Sequence, residues 1–521
     1  MSHKIDKELE EFRQVMQVPS SFEDGFNWTS LLGAIFIALL MVPGAIYMGL
    51  LAGIDSIGSA SQWVTVILFI EVAKRAQKTL KKPEIFVLFF MAGAAMGMPF
   101  NGLLWNQFFI RSDAAIANGI ADQLPRWFAP PAGSESYDLR TFFHVDWLPV
   151  VGMVIFGTFF GQLASMVLGY GLFRVASDIE KLPFPMAPIG AQGIMALAED
   201  ADEKSIANAE DKWRWRVFSI GGALGLGFGA LYLLLPTLSG AITGNPIQIF
   251  PIPFSDFTPK TGEYLKAVAT GMSWDLGNII FGMVLPYFAM VGSFVGLIAT
   301  MIMNPLLEMG GVLKSWTVGD NTITTLYKNN IDFYFSFQIG IALAVAIGGI
   351  AQVIRSVRGH RKAASERAGG SFASELPQGR GDIKSWFVVL VYFFVTITYI
   401  LVSGWLIDWH PGVMAVLFFL GFVYTPLISY VTARLEGMVG QVVEVPFIRE
   451  ATLIMSGYQG VAVWFLPIPI ANYGQMCVFY KQCELTGTRF SSIWKTQVVL
   501  FPIILISSIF FMNFIDRKSV V

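Results

Sequence analysis

One stretch constrains this chain more than any other: Leu182-Pro183-Phe184-Pro185-Met186-Ala187-Pro188-Ile189-Gly190-Ala191-Gln192-Gly193-Ile194-Met195-Ala196. It is apolar enough for a bilayer but too short to cross one, and three prolines and two glycines break it. Backbone of that kind is tolerated at membrane depth only where it is buried in protein or lines a cavity. Spanning helices must therefore surround it. The composition agrees, with 54% hydrophobic and 14% charged residues and a mean hydropathy of +0.59, against about 25% charged in soluble domains. The expected fold class is an all-α polytopic membrane protein.

Several functions fall away at once. A net charge of −2 gives no case for nucleic-acid binding. Two cysteines, Cys477 and Cys483, make no disulfide framework. His3, His144, His360 and His410 are scattered through the polar tail, loops and helix ends, so no histidine metal site and no cofactor is expected.

A full crossing takes about 20 residues, and the apolar runs that mark candidate spans, some of them shorter, are Trp28–Leu50, Trp63–Val72, Glu84–Trp105, Trp147–Phe173, Ile220–Leu235, Lys266–Leu285, Phe288–Met303, Ile331–Ile354, Trp386–Ile407, Val413–Val431 and Ile493–Phe514. Short loops rich in Lys and Arg stay cytoplasmic. Two qualify, Lys74 to Lys82 and Arg355 to Lys384, the latter including Arg380. They place the polar tail, residues 1–26, in the cytoplasm and the loop after Trp105 outside. No cleavable signal precedes the first span, which is expected to insert as an anchor, in the cell (inner) membrane if the source is bacterial.

The chain echoes itself at an offset of 260. Tyr170 meets Tyr430 and Arg174 meets Arg434 at the same helix end, and Gly161, Ala191, Ile194 and Met195 meet Gly421, Ala451, Ile454 and Met455. Equivalent spans run in the same direction. The expectation is two parallel repeats of about six spans each, residues 27–286 and 287–515, with re-entrant or broken hairpin segments at Leu182–Ala196 and Val445–Ser456. The second repeat reads as incomplete, and residues 516–521 read as a translated sequencing adapter.

Three stretches resemble the oligopeptide transporter family, which includes the yellow stripe-like metal-chelate carriers. They are Ala45-Ile46-Tyr47-Met48-Gly49-Leu50-Leu51-Ala52-Gly53, Leu182-Pro183-Phe184-Pro185, and Cys483-Glu484-Leu485-Thr486-Gly487-Thr488. The first differs from the family pattern at Leu51, where a lysine is commoner, and the third lacks a lysine. The resemblance implies proton-coupled import of small peptides, glutathione-like compounds or metal chelates.

Ionisable groups inside spans are costly and read as functional. Glu308, Asp55 and Asp275 are the candidate proton-coupling residues, Glu308 foremost because it lies just past Asn304-Pro305. Glu71 sits beside Lys74 and Arg75 and reads as their ion-pair partner. A zwitterionic peptide needs a cation for its carboxylate and an anion for its amine. Arg449 with Glu444 or Glu450 meets that need, and Tyr47 and Gln192 complete the candidate substrate contacts. Each charge also reads as a solvated helix-end or loop residue.

The resulting expectation is a secondary active transporter whose partners are protons, a small-molecule substrate and the lipid bilayer. A metal-chelate (siderophore-like) importer of the same family and a channel are the alternatives. The absence of His-Glu-x-x-His and Gly-x-Ser-x-Gly argues against an intramembrane enzyme.

Overall fold

The structure is a computed structural model. It describes residues 16–27, scattered positions from 32 to 46, and residues 57–201, 213–348 and 377–518 apart from a few positions (78, 96, 253, 275, 285, 286, 339, 342, 343, 345, 346 and 446).

The principal helices are α1 (Ile57–Arg75), α2 (Lys82–Ala95), α3 (Gly102–Arg111), α4 (Leu148–Phe173), α5 (Ala187–Ala201), α6 (Trp213–Gly229), α7 (Leu235–Thr243) and α8 (Leu276–Val284). They continue as α9 (Tyr287–Met309), α10 (Thr322–Asn329), α11 (Ser385–Leu406), α12 (Pro411–Phe419), α13 (Thr425–Val439), α14 (Ile448–Met455), α15 (Met476–Leu485) and α16 (Phe490–Lys518). Wide π-turns extend α4 over Arg174–Ile179, join α6 to α7 over Ala230–Leu234 and join α12 to α13 over Leu420–Tyr424. Among the described residues six helical stretches are long and apolar enough to cross a membrane: Val145–Ile179, Trp215–Thr243, Met290–Met309, Ser385–Leu406, Pro411–Met438 and Phe490–Arg517. The all-α membrane class is thus met.

The chain divides into two compact units. The first comprises Met1–Lys212, Val353–Val442 and Phe447–Val521, and the second Trp213–Gln352 with Val443–Pro446. The first unit is built around α4. Its Ala164, Val167 and Leu168 pack on Val391 and Val395 of α11, and buried Tyr480 of α15 donates to the Met166 carbonyl at 2.8 Å. Asp516 lies within α16 and accepts a hydrogen bond from Gln107 at 2.5 Å.

Several spans depart from expectation. The stretch Glu84–Trp105 forms α2 and α3, with a turn between them. Leu182–Ala196 is no hairpin: Lys181 and Phe184 take positive φ, and from Ala187 one half-length helix, α5, runs on. Lys266–Leu285 is not a span. Gly271–Met272 pairs antiparallel with Ser255–Asp256, Asp256 accepts from the backbone and hydroxyl of Thr322 at 3.0 and 2.8 Å, and the helix that follows, α8, has only 9 residues. The span expected to end at Met303, before Asn304-Pro305, also runs on. Proline removes a helix hydrogen bond, yet α9 continues through Pro305 to Met309, with the Asn304 amide anchored on the Ala267 carbonyl at 2.8 Å.

Candidate functional site

The first unit gathers its charge where α4 ends. Arg380, expected as one basic residue of a solvated loop, is fully buried. Gly379 and Gly381 flank it with φ of 82° and 86°. Left-handed backbone on both sides suits glycine and turns the arginine inward.

The guanidinium is hydrogen-bonded on every nitrogen. Nη1 donates to Glu484 at 2.6 Å and Asp178 at 3.1 Å; Nη2 donates to Asp178 at 2.6 Å and Asp382 at 3.0 Å; Nε donates to both Asp382 oxygens at 3.1 and 3.2 Å. Its faces lie 5.6 and 5.3 Å from the rings of Phe173 and Phe490, a cation–π arrangement. Burial alone lowers an arginine pKa, but the hydrogen bonds to Asp178 and Asp382 outweigh it and hold Arg380 above its ordinary value.

The neighbours complete the network. Glu484 also takes Lys481 at 2.7 Å, and Lys481 reaches Ser177 at 3.1 Å. Arg174 pairs with Asp178 at 3.3 Å. Tyr170 donates to Asp382 at 2.7 Å and accepts from the Ile383 N–H at 3.1 Å. Three cations thus face three carboxylates, which offsets the cost of burying them.

The second Tyr-x-x-x-Arg end is used differently. Tyr430 donates to Glu180, and Arg434 lies 2.7 Å from the same carboxylate. One carboxylate from the end of α4 therefore ties down the end of α13.

Between these groups lies a cavity of about 340 Å³, lined by Tyr170, Arg174, Ser385, Tyr392, Ser429 and Tyr473 among aliphatic side chains. Small-molecule sites run from roughly 300 to 1,000 Å³. A larger groove of about 480 Å³ is lined by Ile35, Leu39, Ile506 and Phe510, with Ser507 its one polar residue, and offers a zwitterion nothing.

A non-helical run, Leu466–Asn472, leads to Tyr473 at this cavity. Hydroxyls of neighbouring helices satisfy its carbonyls: Ser403 bonds Pro467 at 2.5 Å, Thr425 bonds Pro469 at 2.9 Å and Ser429 bonds Ala471 at 3.4 Å. Irregular backbone at membrane depth requires such partners.

Of the expected site residues, Glu308 and Glu444 belong to the second unit and Gln192, Arg449 and Glu450 to the first. Tyr47, Asp55 and Asp275 lie outside the described residues. Gln192 is half-buried on α5. Glu444 is exposed, and Glu450 is half-buried on the first turn of α14. Arg449 donates to the carbonyls of Trp464 and Leu466 at 2.8 and 3.4 Å, so its guanidinium holds backbone. Glu308 pairs with Lys266 at 3.4 Å. Glu71 pairs with Arg75 at 3.5 Å, as its neighbours suggested.

The reading of the residues missed Asp178, Arg380, Asp382 and Lys481. Signals for the network were present in the repeated Tyr-x-x-x-Arg ends and in Cys483–Thr488, which contains Glu484. It missed Glu436 as well, which is 8% exposed on α13.

Comparison with known proteins agrees with the architecture. The family model described as OPT oligopeptide transporter protein matches residues 136–472, well over half of the chain. No curated protein matches. The match spans the ends of α4 and α13, Arg380 and the Leu466–Asn472 run, and on that extent the chain belongs to the OPT oligopeptide transporter family.

Proposed function

We propose that this multi-pass membrane protein is a proton-coupled secondary transporter of small peptides or peptide-like compounds. One observation carries the reading: a non-helical run, held by the hydroxyls of α11 and α13, leads to a cavity that offers Arg174, Ser385, Ser429 and three tyrosines. Transporters place substrate sites where interrupted backbone meets packed helices near the midplane. Arg174 supplies positive charge for a carboxylate, and the hydroxyls of Ser385 and Tyr473 supply hydrogen bonds for amides. Gln192 is kept in the proposal as a polar contact from α5.

The parallel repeat belongs to the same proposal. Helix α4 with its π-turn ends at Ile179 and α13 at Val439, and the next helices start at Ala187 and Ile448; the offset stays within one residue of 260. The Lys- and Arg-rich loops put the N-terminus and the Arg380 network on the cytoplasmic side.

The test is uptake of labelled trialanine by proteoliposomes containing the purified protein. An inward proton gradient should drive accumulation, and a proton ionophore should abolish it. Uptake indifferent to the ionophore counts against coupling, and single-channel conductance counts against a carrier. Competition by metal chelates but not by di- to pentapeptides moves the substrate class to chelates.

A further inference from the structure

The described residues contain three buried carboxylates: Glu436, Glu484 and Asp516. Glu484 holds Arg380 and Lys481, and Asp516 accepts from Gln107. Among the described residues Glu436, 8% exposed, has neither a hydrogen-bond nor an ion-pair partner. Burying an unpaired carboxylate costs far more than burying a carboxylic acid, and a bare carboxyl inside a span marks function by default.

Its position adds the second argument. Glu436 precedes Gly437, whose carbonyl accepts from the Phe184 N–H at 2.8 Å. A Cβ on Gly437 would fall 2.6 Å from Leu182 Cδ1, so the broken Leu182–Met186 segment docks directly beside Glu436. Two residues earlier, Arg434 is committed to Glu180. On the other packed elements the titratable and charged groups are Cys477, Tyr480, Lys481, Cys483 and Glu484 of α15, Tyr473 before it, Tyr424 of the turn before α13, Tyr170, Arg174, Asp178 and Glu180 along α4 and its end, and Lys181 just before the docked segment. Arg174, Arg434 and Lys481 are paired with Asp178, Glu180 and Glu484, and Lys181 is exposed. Cys477 lies in electrostatic reach of Glu436 and carries no positive charge to balance it.

We infer that Glu436 is the residue that binds and releases the transported proton, and that its protonation is linked to docking of the Leu182–Met186 segment on α13. This deepens the proposed function and rests on it. With the proton bound, the neutral carboxyl is compatible with the docked segment. Release of the proton leaves an anion with no counter-ion, which favours parting of the segment and entry of water. The proton enters from one side of the membrane and leaves to the other, and no other bond changes.

The test uses full-length protein in proteoliposomes with labelled trialanine and an internal pH dye. E436Q should retain exchange of labelled for unlabelled trialanine, yet lose gradient-driven accumulation at least tenfold together with substrate-induced acidification of the lumen. E436D should restore accumulation. Accumulation and acidification that persist in E436Q overturn the inference. Loss of exchange along with accumulation in E436Q overturns it too, because exchange needs no net proton movement. Wild-type protein that neither exchanges nor accumulates the peptide defeats the transport reading itself, which sets that failure apart from the other two.

Discussion

Glu484 and Glu436 sit on two helices packed against each other, α15 and α13, and both are buried. Around Glu484 every charge is answered: Arg380 and Lys481 hold it, and Arg380 in turn holds Asp178 and Asp382. Around Glu436 no described residue gives a hydrogen bond or an ion pair. A saturated network fixes one geometry and makes any change of protonation costly. A bare carboxyl leaves its geometry open to the presence of a proton. The contrast teaches that buried charge can be locked or left bare in one helix layer, and the proposal gives the bare one the role of sensor.

Breaking the lock should produce the largest effect. R380Q removes the cation from three carboxylates, and losing one partner of a buried pair costs about 3–5 kcal/mol, a large share of a typical folding free energy. Thermal unfolding in detergent should show a drop of many degrees or loss of monodisperse protein. A melting temperature unchanged in R380Q would erase the contrast.

How much of this was legible beforehand follows from what single residues reveal. Long apolar runs announce spans, so Trp147–Phe173 and Trp386–Ile407 were found within a few residues. The repeated Tyr-x-x-x-Arg pointed to the helix ends that the network clasps. Arg380 was hidden because a loop arginine is usually solvated, and its burial depends on Asp178 and Glu484, distant in sequence. Glu436 was hidden because it follows Arg434 near a helix end, where charges normally meet water. Backbone–hydroxyl pairing along Leu466–Asn472 has no sequence signature, since Ser403, Thr425 and Ser429 look like ordinary small residues of spans. The expected sixth span failed because Gly271–Met272 found a strand partner 16 residues earlier.

A smaller effect tests the scaffold shared by both regions. T425V keeps the side-chain shape but leaves the Pro469 carbonyl without its donor. An unsatisfied buried acceptor costs about 1–3 kcal/mol, and the melting temperature should fall by less than in R380Q. No shift would mean that the non-helical run does not depend on that hydroxyl.

The smallest effect lies at the N-terminal segment. Asp24 pairs with Lys495 at 2.5 Å and accepts from Ser492 at 2.7 Å. Burial works against the carboxylate, but bonds from Lys495, Ser492 and the Phe26 N–H outweigh it and hold Asp24 below the usual range. A depressed carboxyl stabilises the fold above its unfolded value and loses that contribution as pH falls through the folded one. D24N should therefore cost under about 1 kcal/mol near neutrality and flatten the loss of stability below about pH 4. Parallel pH profiles for D24N and wild type would remove Asp24 from the account.

The central claim is that the bare carboxyl, and not the locked one, exchanges a proton with the substrate cycle. Calorimetric titration of wild type and E436Q with trialanine, in buffers of different ionisation enthalpy, counts the protons exchanged on binding. The account predicts a measurable exchange in wild type and none in E436Q, with binding itself retained. An equal proton count in the two proteins would contradict it.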